Sequence, residues 1–206
     1  MRIISGALKG RKLARPKGPG VRPTTDRVRE ALFQILESSY GVEWQGSSVL
    51  DLFAGSGALG IEALSRGADH AVFVEQHRQA AALAARNIEQ CGLIGRAELL
   101  KTDVFRLLKS GKAFQAPYRP FSVIFADPPY GKGISSRLLD AVSQRACSLQ
   151  KGALFVVEES RKTGLERRFK GGCVSLDLQE RRVYGDTAIF FYTVERSLYD
   201  KQPCPE

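Results

Sequence analysis

The sequence predicts an α/β fold with a mostly parallel sheet, and three observations carry that reading. From residue 48 onward, short apolar runs alternate with helical stretches. The runs are almost continuously apolar, as strands covered on both faces must be. The run at 49–53 then passes through Gly55, Gly57 and Gly60, spaced G-x-G-x-x-G, directly into a helical stretch. A strand, a glycine turn and a helix in that order make the start of a βαβ unit.

The elements follow in order. Residues 1–14 read as a short hairpin, with 2–4 returning against 11–13 around Ser5 and Gly6. The stretch ARPKGPGVRP (14–23) holds three prolines and two glycines and is a loop. Thr24 or Thr25 caps a helix whose first turn carries Asp26. Val28, Ala31, Leu32, Ile35 and Leu36 follow helical spacing and form its buried face, which leaves Arg27 and Arg29 on the wetter side. Trp44 plugs the junction between this helix and the sheet. Strands are predicted at 49–53, 71–74, 97–100, 121–126 and 153–157, with helices at 58–66, 77–91, 104–110 and 135–147 between them. The last two strands, 174–179 and 187–194, face each other across ERRVYGD with no helix between, so seven strands close with an antiparallel hairpin. The domain plan is a basic hairpin and loop (1–23), a main domain (24–197) and a tail (198–206).

Composition narrows the function classes. The chain has 206 residues, 43% of them hydrophobic, enough for a proper core. Its four cysteines (Cys91, Cys147, Cys173, Cys204) contain no C-x-x-C pair. That argues against a disulfide framework or a zinc knuckle, and no metal site is expected. There is no apolar leader and no 18-residue apolar run, so a soluble, cytoplasmic protein is expected. His70 and His77 lack a partner pattern and read as surface residues. The net charge of +9 points to a polyanionic partner. Most of the excess is at one end. Residues 1–30 hold nine Lys/Arg against Asp26 and Glu30, a net +7, and Arg161, Lys162, Arg167, Arg168 and Lys170 form a second cluster. Lys9, Arg11, Lys12, Arg15, Lys17 and Arg27, with Arg161, Lys162, Arg167 and Arg168, are the candidate nucleic-acid contacts.

The loop Phe53-Ala54-Gly55-Ser56-Gly57 brings backbone N–H groups close to a ligand. Glu75 ends the next strand twenty residues after Gly55, where a carboxylate can take both hydroxyls of a ribose. Asp51, four residues before Gly55, would crowd a diphosphate and suits a cationic ligand end instead, such as the α-ammonium of a methionyl moiety. Asp103 and the Val104 N–H follow the third strand and can meet the amine edge of an adenine; Asp103 also fits a helix N-cap. These acids sit at the carboxyl ends of successive strands, where open α/β sheets bind ligands.

After the fourth strand come Asp127, Pro128, Pro129 and Tyr130, expected across that crevice from the glycine loop. The prolines fix φ and contribute no N–H, so their carbonyls remain free to accept. Asp127 adds a carboxylate acceptor and Tyr130 a face for a base to stack on. An exocyclic amine matches this set. Accepting both its protons off the ring plane would localise the nitrogen lone pair towards an electrophilic methyl group.

DLFAGSGALGIEALSRGA, the acid of VFVEQ, DPPY and the opening RIISGALKGRKL…RPTTDRVREALFQIL together resemble the bacterial 16S rRNA (guanine(966)-N(2))-methyltransferase family, over nearly the full chain. DPPY alone is shared with DNA adenine-N6 enzymes; RPTTDRVRE is the more specific signature. The resemblance implies a Rossmann-like class I methyltransferase that uses S-adenosyl-L-methionine to methylate the N2 amine of a guanine in 16S rRNA. The expected substrate form is a small-subunit assembly intermediate, and the expected enzyme a monomer. It also implies that Gly55, Ser56, Gly57, Glu75, Gln76, Asp103 and Val104 line the cofactor site, with Arg22 and Thr24 closing it. Asp51, Phe53, Ala54 and Asp127 join that set, while Asp127, Pro128, Pro129 and Tyr130 hold the guanine. Two other classes compete. A DNA adenine-N6 methyltransferase would need room for a target-recognition domain, which 206 residues do not leave. A non-catalytic RNA-binding module would not need the acids and the DPPY loop together. A protein-glutamine methyltransferase would more usually carry Asn at position 127.

Overall fold

Each apolar run predicted as a strand is one, and helices fall between them. The computed structural model describes residues 1–15, 26–110, 120–146, 149 and 151–196. It forms two compact units, Met1–Lys101 and Thr102–Glu206.

The first unit opens with the predicted hairpin. Ile3 N–H donates to the Arg11 carbonyl at 3.0 Å, Gly10 N–H to Ile3 at 2.9 Å and Leu13 N–H to Met1 at 3.1 Å. Helix α1 (Asp26–Ser38) follows, and its buried face corrects the prediction. The stripe runs through Arg29, Leu32, Phe33 and Leu36, with Val28, Ala31 and Ile35 only half-buried. The helical period is as expected and its phase differs by one residue. A guanidinium can occupy that face because its Nη2 donates to the Arg2 carbonyl and, at 3.1 Å, to Asp26. Burial pushes the Arg29 pKa down. Trp44 does pack at the end of α1: its ring lies 5.3 Å from that of Phe33, and its Nε1 donates to Glu37 at 2.7 Å.

Strands β1 (Ser48–Asp51), β2 (His70–Val74) and β3 (Ala97–Leu100) are parallel in the order β3-β2-β1. Helices α2 (Ala58–Arg66) and α3 (Arg78–Gln90) connect them, with a 3-10 turn at Ile94–Arg96. Val49, Leu50, Val72 and Phe73 are wholly buried. This double coverage is why the strands read as unbroken apolar runs.

The second unit holds α4 (Val104–Ser110), β4 (Val123–Ala126), α5 (Ile134–Arg145) and β5 (Leu154–Ser160), then β6 (Arg168–Lys170), β7 (Val174–Tyr184) and β8 (Thr187–Arg196). Its strand order is β4-β5-β8-β7-β6. β4 and β5 are parallel, and the rest pair antiparallel. The described residues therefore hold eight strands rather than seven. The addition is β6, three residues with a buried Phe169 between two exposed cations, which the sequence presents as part of a charge cluster.

No helix among the described residues is long and apolar enough to cross a membrane. Cys91 is a buried free thiol, and Cys173 is disulfide-bonded. Also outside that set lie Lys17, Arg22, Thr24, the capping threonines, most of the 14–23 loop and the tail.

Candidate active site

In the first unit, β1 delivers its last residue, Asp51, into the turn. Its carboxylate is 2% exposed and accepts the Gly60 N–H at 3.2 Å, which fixes the first turn of α2. Burial raises its pKa to about 7, and the nearby Glu75 charge adds to the rise. Ala54 N–H donates to Val74 O at 3.0 Å, which ties the loop to β2. Gly55 and Gly57 take the left-handed conformation at φ +54° and +79°. The three glycines differ in purpose. A Cβ at Gly60 would stand 2.3 Å from the Phe73 ring, so this glycine lets α2 pack on β2. A Cβ at Gly55 would meet nothing closer than the Phe53 carbonyl at 3.9 Å, so the chain there faces open space.

Glu75 closes the loop from β2. Its Oε2 accepts the Gly55 N–H at 2.9 Å and its Oε1 the His77 N–H at 2.7 Å. It is 8% exposed and keeps lone pairs beyond these two bonds. Gln76 and His77 are exposed, and His70 is half-buried. The set fits S-adenosyl-L-methionine: a buried carboxyl that an ammonium would draw into its charged form, an open glycine cradle, and a braced carboxylate for a ribose.

Asp103 begins the second unit's first helix. Its Oδ1 accepts the Arg106 N–H at 2.9 Å, so the N-cap reading is realised, and the adjacent Val104 is buried. The DPPY loop leaves β4 in this unit. Ala126 pairs with Val157 of β5, so Asp127 stands level with Glu158. Asp127 is half-buried, Pro128 buried and Pro129 exposed. The Tyr130 hydroxyl donates to Glu158 Oε1 at 2.7 Å and also bonds Thr187 of β8. Burial first, then the Glu158 charge, pushes its pKa well above the ordinary tyrosine value, so the hydroxyl stays protonated. The ring keeps an exposed face, at 37% exposure. Glu159 next to Glu158 is 1% exposed and takes the Ser135 hydroxyl at 2.8 Å, fixing the start of α5 beyond the loop.

Of the candidate RNA contacts, Lys9, Arg11, Lys12, Arg15 and Arg27 are exposed in the first unit, and Arg161, Lys162, Arg167 and Arg168 in the second. Three are already engaged: Arg11 Nη1 donates to the Gln90 carbonyl at 2.9 Å, Arg161 Nη1 donates to the Gly185 carbonyl at 3.4 Å, and Arg168 pairs with Asp177. Sequence reasoning missed Glu62, Asn87, Glu158 and Glu159. A signal for the acids was present, because an acid inside an apolar run (GIEAL, FVVEES) is expensive unless it has partners.

The comparisons with known proteins agree. The family described as "Conserved hypothetical protein 95" matches residues 1–193. The ribosomal RNA small subunit methyltransferase D of Escherichia coli (strain K12) is 33% identical over 196 residues, covering 91% of this chain and 93% of that protein. The protein of the same name in Haemophilus influenzae is 34% identical over 78% of this chain and 79% of its own length. The structure of a hypothetical protein of Thermus thermophilus superposes with a TM-score of 0.73 at 31% identity, over 93% of this chain and 98% of that one. The fold is the Rossmann-like methyltransferase fold. The chain belongs to the Conserved hypothetical protein 95 family, the family of the ribosomal RNA small subunit methyltransferase D proteins.

Proposed function

We propose that this protein transfers a methyl group from S-adenosyl-L-methionine to the exocyclic N2 amine of a guanine in small-subunit rRNA, at position 966 of 16S rRNA. The observation that carries the reading is the Asp127-Pro128-Pro129-Tyr130 loop with its ring held by Glu158 at 2.7 Å. S-adenosyl-L-methionine, when bound, supplies an electrophilic methyl on a sulfonium. Asp51 would hold its ammonium, the 53–57 loop and Glu75 its ribose side, and Asp103 with Val104 its adenine edge; Arg22 and Thr24 complete that set.

The protein's own residues do the rest. A guanine N2 amine is a poor nucleophile because its lone pair is delocalised into the ring. The Asp127 carboxylate and the Pro128 carbonyl accept its two N–H bonds, and the Tyr130 ring stacks on the base to fix its plane. The lone pair is thereby turned out of conjugation and towards the side on which the cofactor would present its electrophilic methyl. The nitrogen is strongly acidic once alkylated, and its proton passes to Asp127 or to water without a specialised base. Catalysis is orientation and electrostatics.

A base in structured RNA must be splayed out before it reaches Asp127, which costs a few kcal/mol. The basic hairpin and the 161–170 cluster supply the binding energy that offsets this. The cost is smaller before the RNA is fully packed, which favours an assembly intermediate as substrate for a monomeric, cytoplasmic enzyme.

The test is transfer of labelled methyl from S-adenosyl-L-methionine to rRNA, naked and partly assembled, followed by nucleoside analysis. N2-methylguanosine is expected; N6-methyladenosine, or no transfer to any rRNA form, overturns the reading. Asp127→Ala should lower kcat on the order of 100-fold while cofactor affinity stays within a few fold. Loss of both together would make Asp127 a structural residue.

A further inference from the structure

The basic hairpin is built into the cofactor-binding unit, and one side chain joins it to the glycine loop. Asn87 on α3 is wholly buried. Its Oδ1 accepts the Ala14 N–H at 2.9 Å. Its Nδ2 donates to the Ala14 carbonyl at 3.2 Å and to the Ser56 carbonyl at 2.8 Å. Ala14 is where the returning hairpin strand ends, just after Lys12 and Leu13. Ser56 is the middle residue of the Gly55-Ser56-Gly57 cradle. The other anchors of the hairpin bypass that loop: Glu62 takes the Ile4 and Ser5 N–H groups, and Ser65 bonds Leu8 and Ser5.

We infer that Asn87 is a positioning residue that couples cofactor binding to RNA binding, so that each ligand tightens the other. The inference rests on the proposed function, in which the glycine loop holds the cofactor and the hairpin grips the RNA. A buried amide left without partners is strongly disfavoured, because it forfeits its hydrogen bonds to water and gains none in return. The Ser56 peptide and Ala14 therefore cannot shift independently without breaking one of these bonds. A ligand that orders the N–H groups of the loop also orders the Ser56 carbonyl on the same stretch of chain, and through Asn87 it orders the base of the hairpin. Binding free energies are reciprocal, so RNA on the hairpin must tighten the cofactor by the same factor. The consequence for turnover is that loaded enzyme holds RNA in preference to empty enzyme, which limits the formation of complexes that cannot react.

The experiment measures the affinity of the full chain for purified small-subunit rRNA with and without saturating S-adenosylhomocysteine, and the converse. Unaltered protein should show about a fivefold tightening or more, equal in both directions. Asn87→Leu keeps the volume and removes all three bonds; its ratio should fall to about one while both ligands still bind. Ser65→Ala loosens the hairpin from α2 without touching the loop, and its ratio should stay at the unaltered value. A ratio of one in the unaltered protein overturns the coupling without any variant having to fold. So does an unchanged ratio in Asn87→Leu, or an equal loss in Ser65→Ala, which would mark Asn87 as merely structural. Failure to bind S-adenosylhomocysteine or rRNA at all overturns the proposed function and this inference together.

Discussion

Asp51 shows how burying one carboxyl ties stability to pH. Its pKa rises from 3.8 to about 7 because burial disfavours the charge and Glu75 adds repulsion. The unfolded chain releases this proton near pH 4, the folded one near pH 7. Between those values the folded state binds more protons, so stability falls as pH rises from 4 to 7 and is level above that. An ammonium group beside the carboxylate reverses the penalty. Asp51→Asn, which keeps an acceptor for the Gly60 N–H, should raise the melting stability of the free protein at pH 8 by up to about 4 kcal/mol. The same variant should weaken S-adenosyl-L-methionine at least tenfold, and affinity in the unaltered protein should rise between pH 6 and pH 8. Thermal melts and calorimetric titrations at both pH values check this, and a lower melting temperature for the variant would refute it. The acid itself was legible in the sequence, since an aspartate between an apolar strand and a glycine turn has few structural uses. Its partner was not, because only the folded turn brings Gly60 back onto Asp51.

The hairpin makes the same point for an element. Its strands and turn follow from local chemistry, but its place in the fold depends on residues 57 to 79 positions away: Glu62, Ser65, Asn87 and Gln90. Gly6 sets how closely it docks. It adopts φ +80°, and a Cβ there would lie 1.8 Å from the Ser65 carbonyl oxygen. Gly6→Ala should therefore cost more than about 2 kcal/mol and lift the hairpin off α2. Hydrogen exchange reads this directly: the Ile4, Ser5 and Ala7 amides should lose protection while those of Leu50 and Val72 keep theirs. Unchanged protection at Ile4 and Ser5 would show that the close approach is not required. Local pattern thus located seven strands and the helices, because apolar periodicity is a property of neighbouring residues. It failed where a long-range partner decides: in α1, whose buried stripe includes Arg29 because Arg2 and Asp26 receive it, and in β6, whose single buried Phe169 exists only against β7. The same limit hid Glu158, whose partner Tyr130 lies 28 residues earlier.

For the whole molecule the governing quantity is charge, +9 in total with the densest excess at the N-terminus. Lys9, Arg11 and Lys12 are all exposed on the hairpin, so the element that Glu62, Ser65 and Asn87 lock down presents a fixed array of cations, not a loose basic tail. A fixed array loses less conformational entropy on binding, since the backbone is already ordered. Counterion release then makes affinity fall with salt at a slope set by the number of phosphates neutralised. Arg11 is a poor probe because its guanidinium also anchors the hairpin to the Gln90 carbonyl. Lys9 and Lys12 are the clean pair. Replacing both with alanine should reduce the slope of log affinity against log salt by about 1.5, at roughly 0.7–0.9 per phosphate contact. The melting temperature and cofactor affinity should stay unchanged. Filter binding to purified small-subunit rRNA from low to moderate salt gives the slope; an unaltered slope would move RNA recognition off the hairpin and onto the Arg161–Lys170 cluster.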